Sequence, residues 1–295
     1  MSKKLSDTPE WLADQGAEWI TSENVVPYIY MRKENLINSP GAYVKSNWFS
    51  RPPVLKNPLK MSDVNFADQI LNLESKAFQK SAMPMPRWVF YDCSVMPGIV
   101  CGFAQRTETL SEEHKNQIGF DKNLEWTPLS LFIIIPTVRR GEWVAHNLCT
   151  VNSLLSKEQQ KYALGFLTKA FGLWYGNVEI LCGMTQWGSP SIKLHSHYGP
   201  FEVLTAYTPV HSYAQTLTYR TVLDYRCWPG FFTNSDSEIE PSYRKSGLVV
   251  DPNNLDTLKA LQQNIEEGRG PFFLDPKEIR NKDINSTIQI YCRTD

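Results

Sequence analysis

The sequence predicts a mixed α/β protein: a mostly antiparallel central sheet flanked by helices, with extensions at both ends. Three observations predict it. From Arg87 the pattern changes from helical to strand-like, with short alternating or wholly apolar runs between turn residues. Several of those runs are joined by tight turns, which only antiparallel partners can use. One strand–helix–strand passage, from 143 to 184, demands a crossover, so the sheet is mixed rather than purely antiparallel.

In chain order, residues 1–61 read as an irregular arm packed on the core, because prolines at 52, 53 and 58 interrupt regular structure. Ser62 is the expected cap of a helix whose apolar stripe is Phe66, Ile70, Leu71, Leu73, Ala77 and Phe78, ended by the Met-Pro-Met-Pro at 83–86. Residues 88–92 and 99–105, around Pro97-Gly98, read as a hairpin, with Asp92 on its first strand. Residues 111–123 form a loop or short helix. Residues 129–138 and 142–151 make a second hairpin across Arg139-Arg140-Gly141. A helix is expected over 157–175, started by Ser156 with Glu158 and Gln159, and packing Tyr162, Phe166, Leu167, Ala170, Phe171 and Trp174 on one face. Then follow a strand at 178–184 buried on both faces, a short helix from Pro190 to Gly199, strands at 201–210 and 216–225, a polar linker, a helix over 254–267 and an apolar patch at 287–292. The core therefore spans 62–227, and 228–295 is a C-terminal extension.

Composition narrows the function. The 295 residues carry 30 Lys+Arg against 31 Asp+Glu, for a net charge of −1, so a dedicated nucleic-acid binder is disfavoured. With 42% hydrophobic and 21% charged residues the chain is globular, not disordered. The longest apolar run, 129–138, is about half of what a membrane helix needs. No apolar stretch follows the N-terminal lysines, and the six cysteines show no paired spacing, so a reducing, cytoplasmic compartment is expected.

The helix after the central strand points its free N–H groups at whatever lies beyond that strand's end, which favours an anion. Here the chain resembles the GNAT acyltransferases. Their Q/R-x-x-G-x-G/A turn has its counterpart in Gln160-Lys161-Tyr162-Ala163-Leu164-Gly165, with Ala163 in place of the middle glycine. Their N-x-x-A-I-x-L-Y-x-x-x-G-F segment has its counterpart in 188–201, with Gly188 in place of the Asn and His195 in place of the Tyr. The resemblance covers about 62–226. It implies direct transfer of an acyl group from acetyl-CoA or another acyl-CoA to a small-molecule or peptide amine, with no metal and no covalent enzyme intermediate. It implies cofactor contacts from Leu148, Cys149, Thr150, Val151, from Gln160, Lys161, Tyr162, Ala163, Leu164 and Gly165, and from Ser189.

Candidate general acids are His195 and Tyr198, and candidate bases are His146 and Glu142, with Asp92 a further one. Alternation places His146 beside Val144, Leu148 and Thr150, which also suits a core histidine. His195 and His197, two apart on a helix, face apart and do not share a metal. A Cys–His hydrolase built on Cys93 or Cys149 lacks a local signature. Trp187, Tyr198, Tyr207, Tyr213 and Tyr219 either line an acceptor pocket or form the inner face of the last two strands. Two other functions stay open: a degenerate protein of the same fold that binds coenzyme A or a partner, and a nucleic-acid-modifying enzyme.

Overall fold

The computed structural model describes residues 17–32, 34, 52–79, 84–210, 215–223, 243–283 and 285–294. Residues 1–16, 33 and 35–51 of the expected arm, Tyr213, Cys227 and the linker at 231–242 lie outside the described residues. The chain divides into two compact units, Met1–Val178 and Glu179–Asp295. The class is as expected, mixed α/β with predominantly antiparallel strands flanked by helices.

In the first unit, strands β1 (Val25–Tyr30), β2 (Val54–Lys56), β3 (Ile99–Arg106), β5 (Ser130–Pro136) and β6 (Glu142–Thr150) run in the order β6-β5-β3-β1-β2, and β4 (Trp126–Pro128) pairs β3. The β1–β2 pair is parallel and the others are antiparallel. Helices α1 (Val64–Phe78), α2 (Arg87–Val95), α3 (Glu112–Gln117) and α4 (Leu164–Tyr175) surround them.

Alternation along the strands sorts the helices onto two faces. Tyr28 lies opposite Gly102 and shares its face. Its ring meets Phe66 of α1 at 5.0 Å, and Tyr30, two residues on, stacks on Phe90 of α2 at 5.3 Å. Phe103, on the other face of β3, meets Phe171 of α4 at 5.9 Å. Strand β3 is therefore covered on both sides over its first six residues, which is why 99–104 carry no polar side chain. On α4, a Cβ at Gly172 would fall 2.6 Å from the Phe132 ring and 2.7 Å from Cys101 Sγ, so glycine alone lets the helix sit this close to β3 and β5.

Several expectations are corrected. Residues 87–95 form helix α2, not a strand, so the first hairpin does not exist and Asp92 is an exposed helix residue. A run of four apolar residues fits either period; Pro86 at the N-cap and Phe90, Cys93 and Ser94 on the buried face decide for helix. Residues 25–30, inside the supposed irregular arm, form a fully buried strand. Pro27 is tolerated because pairing with β2 begins only at Tyr28, so its missing N–H costs no bond on that side. Ser62 does not cap α1. It sits in a 3₁₀ turn, Met61–Asp63, in which the Asp63 carboxylate accepts from Lys56 Nζ at 3.2 Å and the Asn57 amide at 2.9 Å. The helix expected from 157 begins only at Leu164. A 3₁₀ turn, Lys157–Gln159, precedes it, and the Ser156 hydroxyl donates to Glu113 at 2.8 Å rather than capping.

In the second unit, strands β7 (Ile180–Gln186), β8 (Phe201–Thr205), β9 (Thr216–Val222), β10 (Tyr243–Val250), β11 (Phe272–Leu274) and β12 (Ile288–Arg293) run in the order β10-β12-β11-β8-β9-β7, all antiparallel. Helices α5 (Ser191–His195), α6 (Leu255–Glu266) and α7 (Pro276–Asn281) pack with them. Trp187, Phe201, Tyr219, Leu258, Phe272 and Ile290 belong to one core. Strands from beyond residue 242 thus continue the strand order from β8, through the β11–β8 pair. Strand β7 is not buried on both faces: its residues alternate, and Met184 is 54% exposed. The short helix starts after Pro190 as expected. The chain leaves it at Gly199, where φ is +145° and a Cβ would meet the Val222 carbonyl at 2.6 Å. Among the described residues no helix is long and apolar enough to cross a membrane.

Candidate active site

The turn that enters α4 is built from backbone. Ala163, the N-cap, has φ 59° and ψ 13°, the left-handed conformation that favours glycine, and no side chain caps this helix end. The Leu164 amide bonds back to the Lys161 carbonyl and the Leu167 amide to the Ala163 carbonyl, at 3.2 and 2.9 Å. Gly165, at the second helical position, carries an amide that a helix itself leaves without an acceptor. Three side chains brace the turn from behind. Asn152 accepts from the Lys161 amide at 3.0 Å and donates to its carbonyl at 2.7 Å. Gln160 Nε2 donates to the Asn152 and Leu155 carbonyls at 2.9 and 3.0 Å. Trp19 Nε1 donates to the Tyr162 carbonyl at 2.8 Å. Gln160 therefore holds the loop together with its side chain. Tyr162 is 49% exposed and lies outside the helix, so it does not join the packed stripe of Phe166, Leu167, Ala170 and Phe171.

Beside this turn the electrostatics are set by burial. The Lys161 ammonium is pulled below its usual value by burial. His114, from α3, is buried and is held down to about 4, first by burial and then by the Lys161 charge, so it is neutral at physiological pH. Among the described residues its Nε2 has no hydrogen-bond partner.

Strand β6 sorts the four expected cofactor residues into two pairs. The Val151 amide donates to Leu129 at 2.8 Å, and Cys149 lies opposite Leu131. Antiparallel alternation then directs the backbone groups of Cys149 and Val151 at β5, and those of Leu148 and Thr150 to the side away from it. Leu148 and Thr150 are therefore the pair whose backbone groups are not committed to β5.

The same strand carries a β-bulge. Leu148 is opposite Phe132 and Ala145 opposite Ile134, so His146 and Asn147 together face the single residue Ile133. The bulge brings two consecutive side chains together: His146 Nδ1 lies 2.9 Å from Asn147 Oδ1. Asn147 Nδ2 donates at 2.9 Å to Glu74 Oε1 of α1, which also accepts from the Met85 amide at 2.9 Å. His146 is exposed, which corrects the core-histidine reading, and Val144 beside it is exposed as well. Glu142 is buried at the hairpin turn, where it accepts from Thr137 Oγ1 at 2.9 Å and lies 3.8 Å from Arg139.

The remaining candidates belong to the second unit. His195 and Tyr198 are both buried, and the His195 ring lies 5.8 Å from that of Tyr219. Ser189 shares its hydroxyl with that of Ser191 at 2.7 Å, at the start of α5. Trp187, Tyr198 and Tyr219 are fully buried; Trp187 and Tyr219 belong to the core of this unit, and Tyr207 packs partly against it. Burial raises the Cys93 and Cys149 thiols, the opposite of what a nucleophile needs. Among the described residues, no three His, Cys, Asp or Glu side chains gather as a metal site.

Sequence reasoning missed Asn152, Trp19, Asn147 and Glu74. No local pattern announces the first two: Asn152 acts through two hydrogen bonds to Lys161, and Trp19 through one bond across the fold. Asn147 and Glu74 depend on a bulge, whose extra residue breaks the period-two reading.

No family model matches the sequence, and a search of curated proteins finds no relative. Among solved structures, the chain is similar to the ribosomal-protein-S18-alanine N-acetyltransferase from Escherichia coli, at 13% identity over 56% of this chain and 91% of that one, with a TM-score of 0.37. It is similar to an N-acetyltransferase from Staphylococcus aureus, at 14% identity over 56% and 94%, TM-score 0.37. It is also similar to a chain of the NatC complex bound to Gag peptide and CoA, at 9% identity over 57% and 96%, TM-score 0.39.

Proposed function

We propose that this protein binds an acyl-coenzyme A, acetyl-CoA being the simplest, at the turn into α4 and transfers its acyl group to an amine on a small molecule or peptide. The observation that carries the reading is the uncapped start of α4 behind the left-handed Ala163. Its amides and the positive helix end are suited to pyrophosphate oxygens, and the bracing by Asn152, Gln160 and Trp19 keeps them preformed. A neutral chain binds an anionic ligand this way without a basic patch. The backbone of Leu148 and Thr150 offers donors and acceptors to the amides of the pantetheine arm.

For the transfer, His146 Nε2 takes a proton from the incoming ammonium, directly or through water. The amine nitrogen then attacks the thioester carbonyl, the C–N bond forms, the C–S bond breaks, the nitrogen gives up its second proton and the departing thiolate takes one up. His195→Phe and Tyr198→Phe test the two acid candidates that the sequence offers.

The test is thermal unfolding with and without acetyl-CoA, followed by turnover with a panel of amines. At a concentration one hundred times Kd, binding adds about 2.7 kcal/mol of stability. No shift at millimolar acetyl-CoA would remove the reading. A shift without turnover of any amine would leave a coenzyme A-binding protein instead.

A further inference from the structure

The buried carboxyl of Glu74 has no role in the turn into α4, yet it is bound in one direction only. The residue is 1% exposed. Its Oε1 accepts from both the Met85 amide and Asn147 Nδ2, and among the described residues its Oε2 has no partner. An acidic side chain kept inside at this cost, with half its acceptors unused, calls for an explanation beyond packing.

The explanation lies in what Glu74 does to Asn147. The two ends of a carboxamide differ, one accepting and one donating, and its orientation is set by its partners. Glu74 Oε1 already faces a backbone donor, so it admits only the Asn147 NH₂, and Asn147 Oδ1 is thereby turned toward the His146 ring. Oδ1 accepts only, so the hydrogen of the neutral imidazole must sit on Nδ1. Nε2 is left as a bare acceptor on an exposed side chain. We infer that Glu74, acting through Asn147, is a positioning residue that fixes His146 in its Nδ1–H tautomer and so leaves Nε2 ready to accept a proton. The β6 bulge is what makes the chain possible, because neighbouring side chains on a regular strand point to opposite faces. Burial raises the Glu74 carboxyl above its usual value, and a protonated Oε2 would leave Oε1 an acceptor in the same geometry.

The functional meaning of this tautomer rests on the proposed acyl transfer, but the tautomer itself does not, and the experiment reads them separately. Long-range ¹H–¹⁵N NMR of the full chain above pH 8 distinguishes the two ring nitrogens of His146, whose signals are assigned with His146→Gln. The expected wild-type spectrum has a pyrrole-type Nδ1 and a pyridine-type Nε2. Glu74→Gln, which keeps an acceptor, should leave that spectrum unchanged. Glu74→Met and Asn147→Ala should each exchange the two shifts, because an unpartnered imidazole in water prefers Nε2–H. A wild-type Nε2–H form, or no exchange in the folded Glu74→Met and Asn147→Ala variants, overturns the inference. Where the wild type turns over an amine, Glu74→Met should lower kcat about tenfold with KM for acyl-CoA unchanged, and Glu74→Gln should restore it. Failure of the wild type to bind acetyl-CoA would sink the proposed function while leaving the tautomer result standing.

Discussion

Asn152 grips Lys161 at both backbone groups, accepting from its amide at 3.0 Å and donating to its carbonyl at 2.7 Å. One side chain thus fixes the orientation of the peptide groups that lead into α4. Asn152→Ala removes both bonds at once and leaves half-buried backbone groups unpaired. The expected loss is about 1–3 kcal/mol of stability, with weaker acetyl-CoA binding beyond that loss. Urea unfolding and calorimetric titration of the same variant check both halves.

Ala163 occupies the left-handed conformation with a Cβ that disfavours it, at a cost of about 1 kcal/mol or more. Ala163→Gly should therefore hold or raise stability by up to about 1 kcal/mol, although glycine near a helix otherwise costs a similar amount. Ala163→Val, whose branched Cβ suits this conformation worse, should lower it. Chemical denaturation of the three proteins orders them Gly, Ala, Val; an order with Ala clearly above Gly contradicts the backbone account.

His114 makes stability fall in mild acid. Its folded pKa of about 4 lies below the usual histidine value near 6.5, so the folded state resists a proton that the unfolded chain accepts. The contribution is fully present above pH 6.5 and is lost as pH falls toward 4, by about 3 kcal/mol at 1.36 kcal/mol per unit of pKa. His114→Phe should flatten this part of the stability–pH curve. Parallel curves for wild type and variant between pH 7 and 4 would count against it.

Much of the frame was legible in the sequence, and the reasons it stopped where it did are physical. The apolar run at 130–136 and the pairing of β5 with β6 followed from composition and a Gly-containing turn. The helix through Phe166 and Phe171 followed from its period, but its start did not, because Ala163 gives no sign of a positive φ as glycine would. Residues 88–92 were misread because a short apolar run fits either period, and helix α2 buries only Phe90, Cys93 and Ser94 while leaving Trp88 exposed. The strand at 25–30 was hidden because the prolines at 52, 53 and 58 set the reading of the whole arm, and Pro27 within it is harmless because of where its partner begins. In the candidate site, the motif residues pointed to the turn, while the groups that hold it, Asn152 and Trp19, are joined to it only through the fold.

Glu74 gives a pH dependence of the opposite sense. Burial raises its folded pKa above the ordinary carboxyl value, so its contribution to stability is present below about pH 4.3 and is lost as pH rises through the folded value. Glu74→Gln, neutral at every pH and still an acceptor, should gain stability relative to wild type as pH increases from 4 to 8. Thermal unfolding across that range reads the difference, and a gain that shrinks with pH would contradict the buried-acid assignment.

The central claim is that the amides opening α4 hold the phosphates of an acyl-coenzyme A, and Gly165→Asp tests it most directly. A carboxylate at the second helical position favours the helix itself through the dipole, so the variant should unfold at the wild-type temperature or above. It also sets a negative charge where the pyrophosphate belongs. Calorimetric titration with acetyl-CoA should show binding to the wild type and an affinity at least one hundred times weaker in Gly165→Asp, equivalent to about 2.7 kcal/mol. Equal affinity in the two proteins, or no binding to the wild type, would contradict the assignment of this helix end to the cofactor.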